Sequence, residues 1–356
     1  MKKIYLILAL IITFTSCIEE IPVGFLSDNI TMREDTVNVV KGLYVVSAIP
    51  MIDGSTRPLN FSILDIKNLK TGETASEFLQ EYPVKMWRSA YDPDKDTTLA
   101  IVNEKLFEKN VAPIEINPAS GQLAFNAGTK NITGELYGVD VSVSNESTTK
   151  IFKQFGTIRL INKAWEVPNN FGQYFYGMVS TDSNPQNVIE SRNPLPTAEM
   201  TKVKENTHPN FKITKVGESE EVKITLSFYD ANGEAFSGNA ISKWPSGASY
   251  LNSWFDNSLD TKVLSNGVEF NFPTVPFPAF GRVYTGSRES ISLSYYVLHP
   301  SSYTLTPAAQ TMANAKAAEL GKTFTGYNLQ VKITYQINEP GIWEVKVVFP
   351  YAIKKK

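Results

Sequence analysis

Short runs of alternating apolar and polar residues dominate the chain and constrain its fold more than any other feature. Two clear examples are Tyr137–Val143 and Val222–Phe228, in which every second residue is apolar. Because successive side chains of a strand point to opposite faces, this period of two predicts half-buried β-strands. Gly, Pro, Asn and Asp residues cluster between the runs and predict tight turns. The pattern therefore predicts an all-β protein built from two β-sandwich domains.

One segment departs from this pattern and predicts a helix over residues 307–320. Thr306 is suited to cap its first turn, Pro307 to take the first helical position, and Gly321 to end it. A shorter helix is predicted from Thr197, within a long polar loop.

The last two long alternating runs are Leu329–Ile337 and Ile342–Phe349, which an Asn-Glu-Pro-Gly turn connects. Two such strands with a short turn between them predict a hairpin that ends the fold. In the second run Trp343 alternates with Val345 and Val347, so we expect Trp343 to lie in the core.

The length of 356 residues suits two domains with full cores. Pro168, two asparagines and Gly172 interrupt the β pattern and mark the boundary between the domains. We therefore predict a first β-sandwich over residues 35–163. A larger, aromatic-rich β-sandwich follows over residues 164–356 and is the candidate ligand-binding domain.

The first twenty residues carry a targeting pattern. Lys2 and Lys3 precede an apolar run of about eleven residues, which is too short to span a bilayer but is typical of a signal peptide. Ser16-Cys17 after that run resembles a bacterial lipoprotein cleavage site, where the cysteine takes a lipid. The acidic pair Glu19-Glu20 resembles the surface-export signal of Bacteroidetes lipoproteins. The alternative is a cysteine within an ordinary signal peptide, discarded on cleavage.

This resemblance implies a protein anchored by lipid to the outer membrane and facing the cell exterior. The signal peptide would cover residues 1–16, the lipid would be attached to Cys17, and residues 17–34 would form a tether before the first domain.

Two further resemblances concern the first domain. The run PIEINPASGQLAF (113–125) followed by GVDVSVSN (138–145) resembles cadherin-like and bacterial immunoglobulin-like modules. The runs GFLSDNI (24–30) and DGSTRPL (53–59), together with EINPASGQL (115–123), are similar to an uncharacterised family of Bacteroidetes surface lipoproteins. Members of that family occur with polysaccharide-uptake systems. The resemblance implies a surface protein that handles glycan without catalysis, beside other outer-membrane uptake proteins.

Composition and motifs exclude several functions. The formal net charge of −2 argues against nucleic acid as a partner. The chain contains no H-E-x-x-H, G-x-S-x-G or Walker-type phosphate loop, so neither an enzyme nor a cofactor is expected. Both His208 and His299 precede a proline, and we expect both in surface loops.

The candidate ligand platform is the segment 242–257, SKWPSGASYLNSWFDN. Its aromatic residues fit neither strand nor helix spacing, and exposed indole rings need a cover, which the flat face of a sugar ring supplies. Neighbouring amides and carboxylates would take the sugar hydroxyls. The alternative is that the rings are core. The candidate glycan-binding residues are Trp244, Tyr250, Trp254, Asn252, Asp256 and Asn257.

Asp92, Asp94 and Asp96 place three carboxylates at alternate positions of one turn, as calcium loops do. The glycine and the closing glutamate of a full calcium loop are missing, and Lys95 dilutes the charge. Calcium is therefore a weak candidate, and a polar turn between strands is the alternative.

Two functions are consistent with the sequence. The first is a surface-anchored, non-catalytic protein that binds polysaccharide or oligosaccharide. The second is a structural adhesin or pilus-type subunit whose sandwiches pair by strand addition and which has no soluble sugar ligand. Exposed rings in segment 242–257 would favour the first, and buried rings the second.

We expect the substitution Cys17→Ala to abolish lipid attachment, because Cys17 is the only cysteine and its thiol is the predicted acceptor. Metabolic labelling with a radioactive fatty acid, followed by membrane fractionation, measures this. Label that persists in the Cys17→Ala protein would contradict the prediction.

Overall fold

A computed structural model describes residues 24–92, 95–167, 175–182, 186–189, 195–243, 254–275, 294–333 and 335–356. These residues form mostly strands with few helices, which confirms the prediction of a largely β protein. The division into two β-sandwiches stays a prediction. Cys17 and the signal segment lie outside the described residues.

The secondary-structure elements are numbered in chain order. The strands are β1 (Thr36–Val40), β2 (Val45–Val46), β3 (Asn60–Asn68), β4 (Tyr82–Trp87), β5 (Leu106–Val111), β6 (Ile114–Ile116), β7 (Leu123–Phe125), β8 (Leu136–Ser144), β9 (Thr149–Ile161), β10 (Trp165–Glu166), β11 (Phe175–Ser180), β12 (Asn187–Ile189), β13 (Phe211–Gly217), β14 (Val222–Tyr229), β15 (Ile241–Lys243), β16 (Asp260–Leu264), β17 (Gly267–Phe272), β18 (Ser294–Leu298), β19 (Tyr303–Leu305), β20 (Tyr327–Ile333), β21 (Gln336–Ile337), β22 (Gly341–Val348) and β23 (Ala352–Lys354). The α-helices are α1 (Leu99–Glu104), α2 (Thr197–Lys204), α3 (Trp254–Asn257) and α4 (Pro307–Glu319).

The contacts divide the chain into two compact units. Unit 1 contains residues up to 82 together with 111–161, and unit 2 contains 83–110 together with 162–356. Segment 83–110, which holds α1 and all but one residue each of β4 and β5, therefore belongs to unit 2, although the predicted first domain ran without interruption from 35 to 163. We call this segment the ribbon.

Unit 1 is built around a sheet with strand order β1-β9-β8-β3 and a smaller sheet with order β2-β7-β6. Strand β1 runs parallel to β9, and the other pairs are antiparallel. The centre of β8 supplies the core with Tyr137, Val139, Val141 and Val143, all fully buried. The apolar residues whose alternation predicted this strand are thus buried, and Gly138 and Asp140 between them are buried as well.

The Asn-Pro-x-Ser-Gly segment between β6 and β7 forms a tight turn, as its composition predicts. The Asn117 side-chain Oδ1 accepts hydrogen bonds from the backbone N–H groups of Ala119 and Ser120, each at 3.0 Å. Gly121 has a φ of +75°, and a Cβ at that position would lie 2.9 Å from the ring of Phe61. The turn therefore needs glycine for both its backbone angle and the close approach of this ring.

The predicted tether over residues 17–34 is wrong from Gly24 onward. Leu26, Ile30 and Met32 are buried in the core of unit 1. The Lys150 ammonium donates to the Leu26 carbonyl at 2.6 Å and fixes the backbone there. Burial of three apolar side chains stabilises this segment as part of the fold, which outweighs the loop signal of its Gly, Ser and Asn residues.

Two five-stranded sheets make up most of the described part of unit 2. Their strand orders are β12-β11-β20-β18-β15 and β13-β22-β14-β17-β16. Side chains of the two sheets contact each other, as when the rings of Phe228 and Tyr296 lie 6.5 Å apart between centroids. Trp343 on β22 is 1% exposed, which confirms it as a core residue.

The predicted terminal hairpin is wrong. Strand β20 pairs with β11 and β18, whereas β22 lies in the other sheet, antiparallel to β13 and parallel to β14. Between them β21 pairs with β10, and the turn at 338–341 then leads the chain into the other sheet. The alternating pattern specifies which face of each strand is buried, but it does not specify the partner strand.

Both predicted helices are present. Helix α2 begins at Thr197, and α4 begins after Thr306, whose Oγ1 accepts a hydrogen bond from the Ala309 N–H at 3.3 Å. Gly321 ends α4 with a φ of +59°. Its neighbour Lys322 donates its N–H to the Ala317 carbonyl at 2.9 Å, as in a Schellman motif.

The buried carboxylate of Asp230 holds the turn after β14 against β23. It accepts hydrogen bonds from the backbone N–H groups of Asn232, Glu234 and Lys354 at 2.8, 2.8 and 2.9 Å. Burial alone would raise the pKa of Asp230, but these donors together hold it below its ordinary value.

We expect Asp230→Asn to destabilise the fold by about 2–4 kcal/mol at pH 7, because charge-assisted hydrogen bonds become weaker or are lost. A depressed folded pKa means that this contribution is present above the unfolded pKa of about 3.9 and is lost as the pH falls below it. Urea denaturation of both proteins at pH 7 and near pH 3 measures this. A difference that stays constant with pH would contradict the assignment.

Candidate functional site

Most of the predicted glycan platform lies outside the residues that the structure describes. Trp244, Tyr250 and Asn252 fall in an undescribed segment. Asp256 and Asn257 lie in helix α3, whose backbone alone is described for them.

Trp254 is a core residue. Its side chain is 0% exposed, and its ring lies 5.8 Å from Phe270 and 5.9 Å from Tyr296 between centroids. Its backbone N–H donates to the Tyr296 hydroxyl at 3.1 Å. A ring enclosed in this way cannot stack on a sugar, so the prediction of Trp254 as a platform residue is wrong, and its alternative as core holds.

In the predicted calcium turn, the positive charge beside the carboxylate of Asp96 comes from the protein itself, from the ammonium of Lys105. The buried carboxylate of Asp96 accepts from the Asp92 backbone N–H at 2.6 Å and lies 2.6 Å from the Lys105 ammonium. The Asp92 N–H and the Lys105 ammonium lower the pKa of Asp96. Asp94 lies outside the described residues, and among the described residues no group of three potential metal ligands occurs. This geometry fits the polar-turn alternative.

The prediction for His208 is wrong, because this residue is buried rather than in a surface loop. Its Nδ1 accepts from the Asn210 N–H at 3.1 Å, and its ring lies 5.0 Å from that of Phe211. Burial lowers the pKa of His208, so the neutral form is the stable one near pH 7. His299 is exposed, as predicted.

An open groove runs along the C-terminal half of α4 and has a volume of about 540 Å³. We call it the α4 groove. It is lined by Gln310, Asn314, Ala317, Ala318, Lys322, Thr323, Phe324 and Tyr327. The lining combines two aromatic rings, two side-chain amides and small alanine residues, and Lys322 is the one charged side chain among these described lining residues.

The helix positions the amides by its periodicity. Ala309 and Ala313 are buried, and their small side chains let α4 lie close to β12 and β19, which it contacts. Gln310 and Asn314 are each one position further along, so they share the adjacent face. The Gln310 Nε2 donates to Asn314 Oδ1 at 2.9 Å, which leaves Asn314 Nδ2 as a donor for a ligand.

The rings come from the segment after the helix. Phe324 and Tyr327 are half-buried, with centroids 6.1 Å apart and ring planes at 74°. Burial raises the pKa of Tyr327, and a hydrogen bond joins its side chain to Gln310. The Tyr327 hydroxyl is therefore protonated at neutral pH and belongs to one hydrogen-bonded group with the two amides.

A second cleft, of about 490 Å³, lies between the ribbon and the turn before β14. We call it the ribbon cleft. The Lys85 ammonium lies 2.9 Å from Glu220, and the Asn103 amide donates to Glu221 at 3.1 Å. Its lining is Lys85, Asn103, Leu106, Phe107, Glu108, Ser219, Glu220, Glu221 and Thr274, which carries one lysine against three glutamates.

The sequence held a partial signal for the α4 groove. The helix was predicted, and four-residue spacing places Gln310 and Asn314 on one face of it. Nothing in the spacing indicated that Phe324 and Tyr327 return to that face, because this depends on the turn after Gly321 and on the pairing of β20.

Comparison with known proteins found no matching family, no matching curated protein and no matching solved structure. Within the described ranges, no helix is both long and apolar enough to cross a bilayer. The chemistry of the described residues is therefore the basis for the functional proposal.

We expect Trp254→Ala to lower the free energy of unfolding by about 3–5 kcal/mol, because a fully buried ring leaves a cavity. Trp254→Phe is the matched variant and should cost much less, since it keeps a ring and removes an Nε1 that has no hydrogen-bond partner among the described residues. Denaturant titrations measure both. A Trp254→Ala protein as stable as the wild type would contradict the core assignment.

Proposed function

We propose that this protein is a lipid-anchored protein of the outer membrane, facing the cell exterior, that binds glycan without catalysis. The targeting pattern around Cys17 supports the location. The observation that carries the binding proposal is the α4 groove, where an aromatic pair and an amide pair line one open site. In this proposal the protein acts within a polysaccharide-uptake system, beside other outer-membrane proteins.

The chemistry of the α4 groove suits sugars. The apolar C–H face of a sugar ring packs on aromatic rings, while its hydroxyls need both donors and acceptors. Gln310 and Asn314 supply amide groups, and Tyr327 and Thr323 supply hydroxyls. The alanines of α4 leave room for a ligand to approach the helix.

The same lining supports binding rather than cleavage. Glycoside hydrolysis uses two carboxyl groups on either side of the scissile bond. Among the described residues that line the α4 groove there is no aspartate and no glutamate. The described lining therefore offers a sugar no pair of carboxyl groups of that kind.

We further propose that both units are β-sandwiches, the first of immunoglobulin or cadherin type. The facing five-stranded sheets of unit 2 support this for the second domain, and the paired sheets of unit 1 support it for the first. In such folds loops and added helices carry the binding groups, which fits a site beside α4.

The alternative is a structural adhesin or pilus-type subunit with no soluble sugar ligand. The burial of Trp254 favours it, because that ring was the strongest part of the predicted platform and is core instead. Strands β13 and β16 stand at the ends of one sheet in the described part of unit 2, where strand addition would take place.

Affinity electrophoresis of the detergent-solubilised full-length protein, through gels containing different soluble polysaccharides, tests the proposal. We expect one glycan to retard the protein, and Phe324→Ala or Tyr327→Ala to weaken that binding about tenfold through loss of a ring contact. Met312→Ala is the matched control, because Met312 is half exposed on α4 and does not line the groove.

The other outcomes are informative. Retardation that is lost in Phe107→Ala but not in the α4 groove variants would place glycan binding in the ribbon cleft. Absence of retardation across a broad panel of polysaccharides would contradict glycan binding and support the structural alternative.

A further inference from the structure

The geometry points to a groove that recognises a short saccharide or the end of a glycan chain, rather than a long internal stretch of polysaccharide. This inference rests on the proposed function, since it specifies the ligand of the same α4 groove. It follows from the angle between the two rings, from the fixed position of Tyr327 and from the size of the site.

The rings of Phe324 and Tyr327 line the α4 groove at nearly a right angle to each other, and we call this arrangement the corner. Their planes stand at 74° and their centroids are 6.1 Å apart, which is the edge-to-face contact of two aromatic rings and leaves a sugar the angle beside them. A long glycan chain with a flat face needs rings that share a plane and lie further apart, so that successive sugars stack in turn. Two nearly perpendicular rings this close together can enclose only one sugar, with one ring against its face and the other against its edge.

The Tyr327 side of the corner is held in place by the fold. Tyr327 is the first residue of β20 and lies opposite Ser180 of β11. Its backbone carbonyl accepts a hydrogen bond from the Tyr303 hydroxyl at 2.6 Å, and Gln310 bonds its side chain. Moving Tyr327 out of this position would have to break these contacts.

The size of the site agrees with a short ligand. A groove of about 540 Å³ falls in the range that accommodates drug-sized molecules, which corresponds to about two or three sugar rings. Beside the corner, Asn314, Thr323 and Lys322 present polar groups. A terminal sugar offers more free hydroxyls to such groups than an internal one, because a glycosidic bond removes a hydroxyl.

The test is a binding titration of the detergent-solubilised full-length protein with labelled ladders of cello-, malto-, xylo- and manno-oligosaccharides, from monosaccharide to octasaccharide. Each ligand carries its label at the reducing end. We expect one ladder to bind, with an affinity that stops increasing by about the trisaccharide. We also expect Tyr327→Ala to weaken the trisaccharide and the octasaccharide equally, by about tenfold.

Tyr327→Phe keeps the corner and removes the hydroxyl, so it should retain the same dependence on length even if overall affinity falls. It also serves as the folded control should the alanine variant fail to fold. Met312→Ala should bind as the wild type does.

An affinity that continues to rise to the octasaccharide would overturn the inference and leave glycan binding intact. Binding of a polysaccharide but of none of its oligosaccharides would do the same. Binding of neither ladders nor parent polysaccharides would overturn the proposed function as well, so the two failures are distinguishable.

Discussion

The apolar layer between the two large sheets of unit 2 is the constraint on which the rest of that unit depends. Strands β14 and β22 run parallel in one sheet, and alternate residues such as Leu226 and Val345 are fully buried. Each fully buried aliphatic or aromatic side chain contributes about 1.5–3 kcal/mol, whereas exposed ion pairs contribute about 0–1 kcal/mol. The sheets are therefore held together by this layer, and the polar groups of the candidate site lie at the periphery. Helix α4, packed through alanines beside β12 and β19, is part of that periphery.

Local sequence predicted the elements better than their partners. The strands, the helix from Pro307 and the Asn117 turn depend on periodicity, capping and one glycine, all of which act over a few residues. Which sheet β20 and β22 join depends on which sheet offers a complementary face. The alternating pattern cannot indicate this, because its period of two is the same in every sheet. For the same reason the sequence did not indicate that segment 83–110 belongs to unit 2, because the contacts that place it there join residues distant in the sequence.

The same limit applies to the side chains of the candidate site: local sequence indicates which residues are present, but not which residues they contact. A tryptophan among Ser, Gly and Asn residues has the composition of a binding loop, yet Trp254 is covered by Phe270 and Tyr296. Composition cannot distinguish a ring that closes a core from one that awaits a ligand, because both need apolar contact. Helical spacing alone was enough to place the amides of Gln310 and Asn314 on one face of α4. The corner of Phe324 and Tyr327 was not, because it forms only when the chain turns at Gly321 and joins a sheet.

The burial of Leu26, Ile30 and Met32 has a mechanical consequence for an anchored protein. With a lipid on Cys17, only seven residue steps separate the anchor from Gly24, and a fully extended chain spans about 3.3–3.6 Å per residue. The segment between the lipid and unit 1 would then span at most about 25 Å, less than the thickness of many single domains. Unit 1 would therefore lie close to the bilayer surface and could move only a short distance away from it. Any partner that contacts the first turns of this unit would have to approach along the membrane plane, as another outer-membrane protein does.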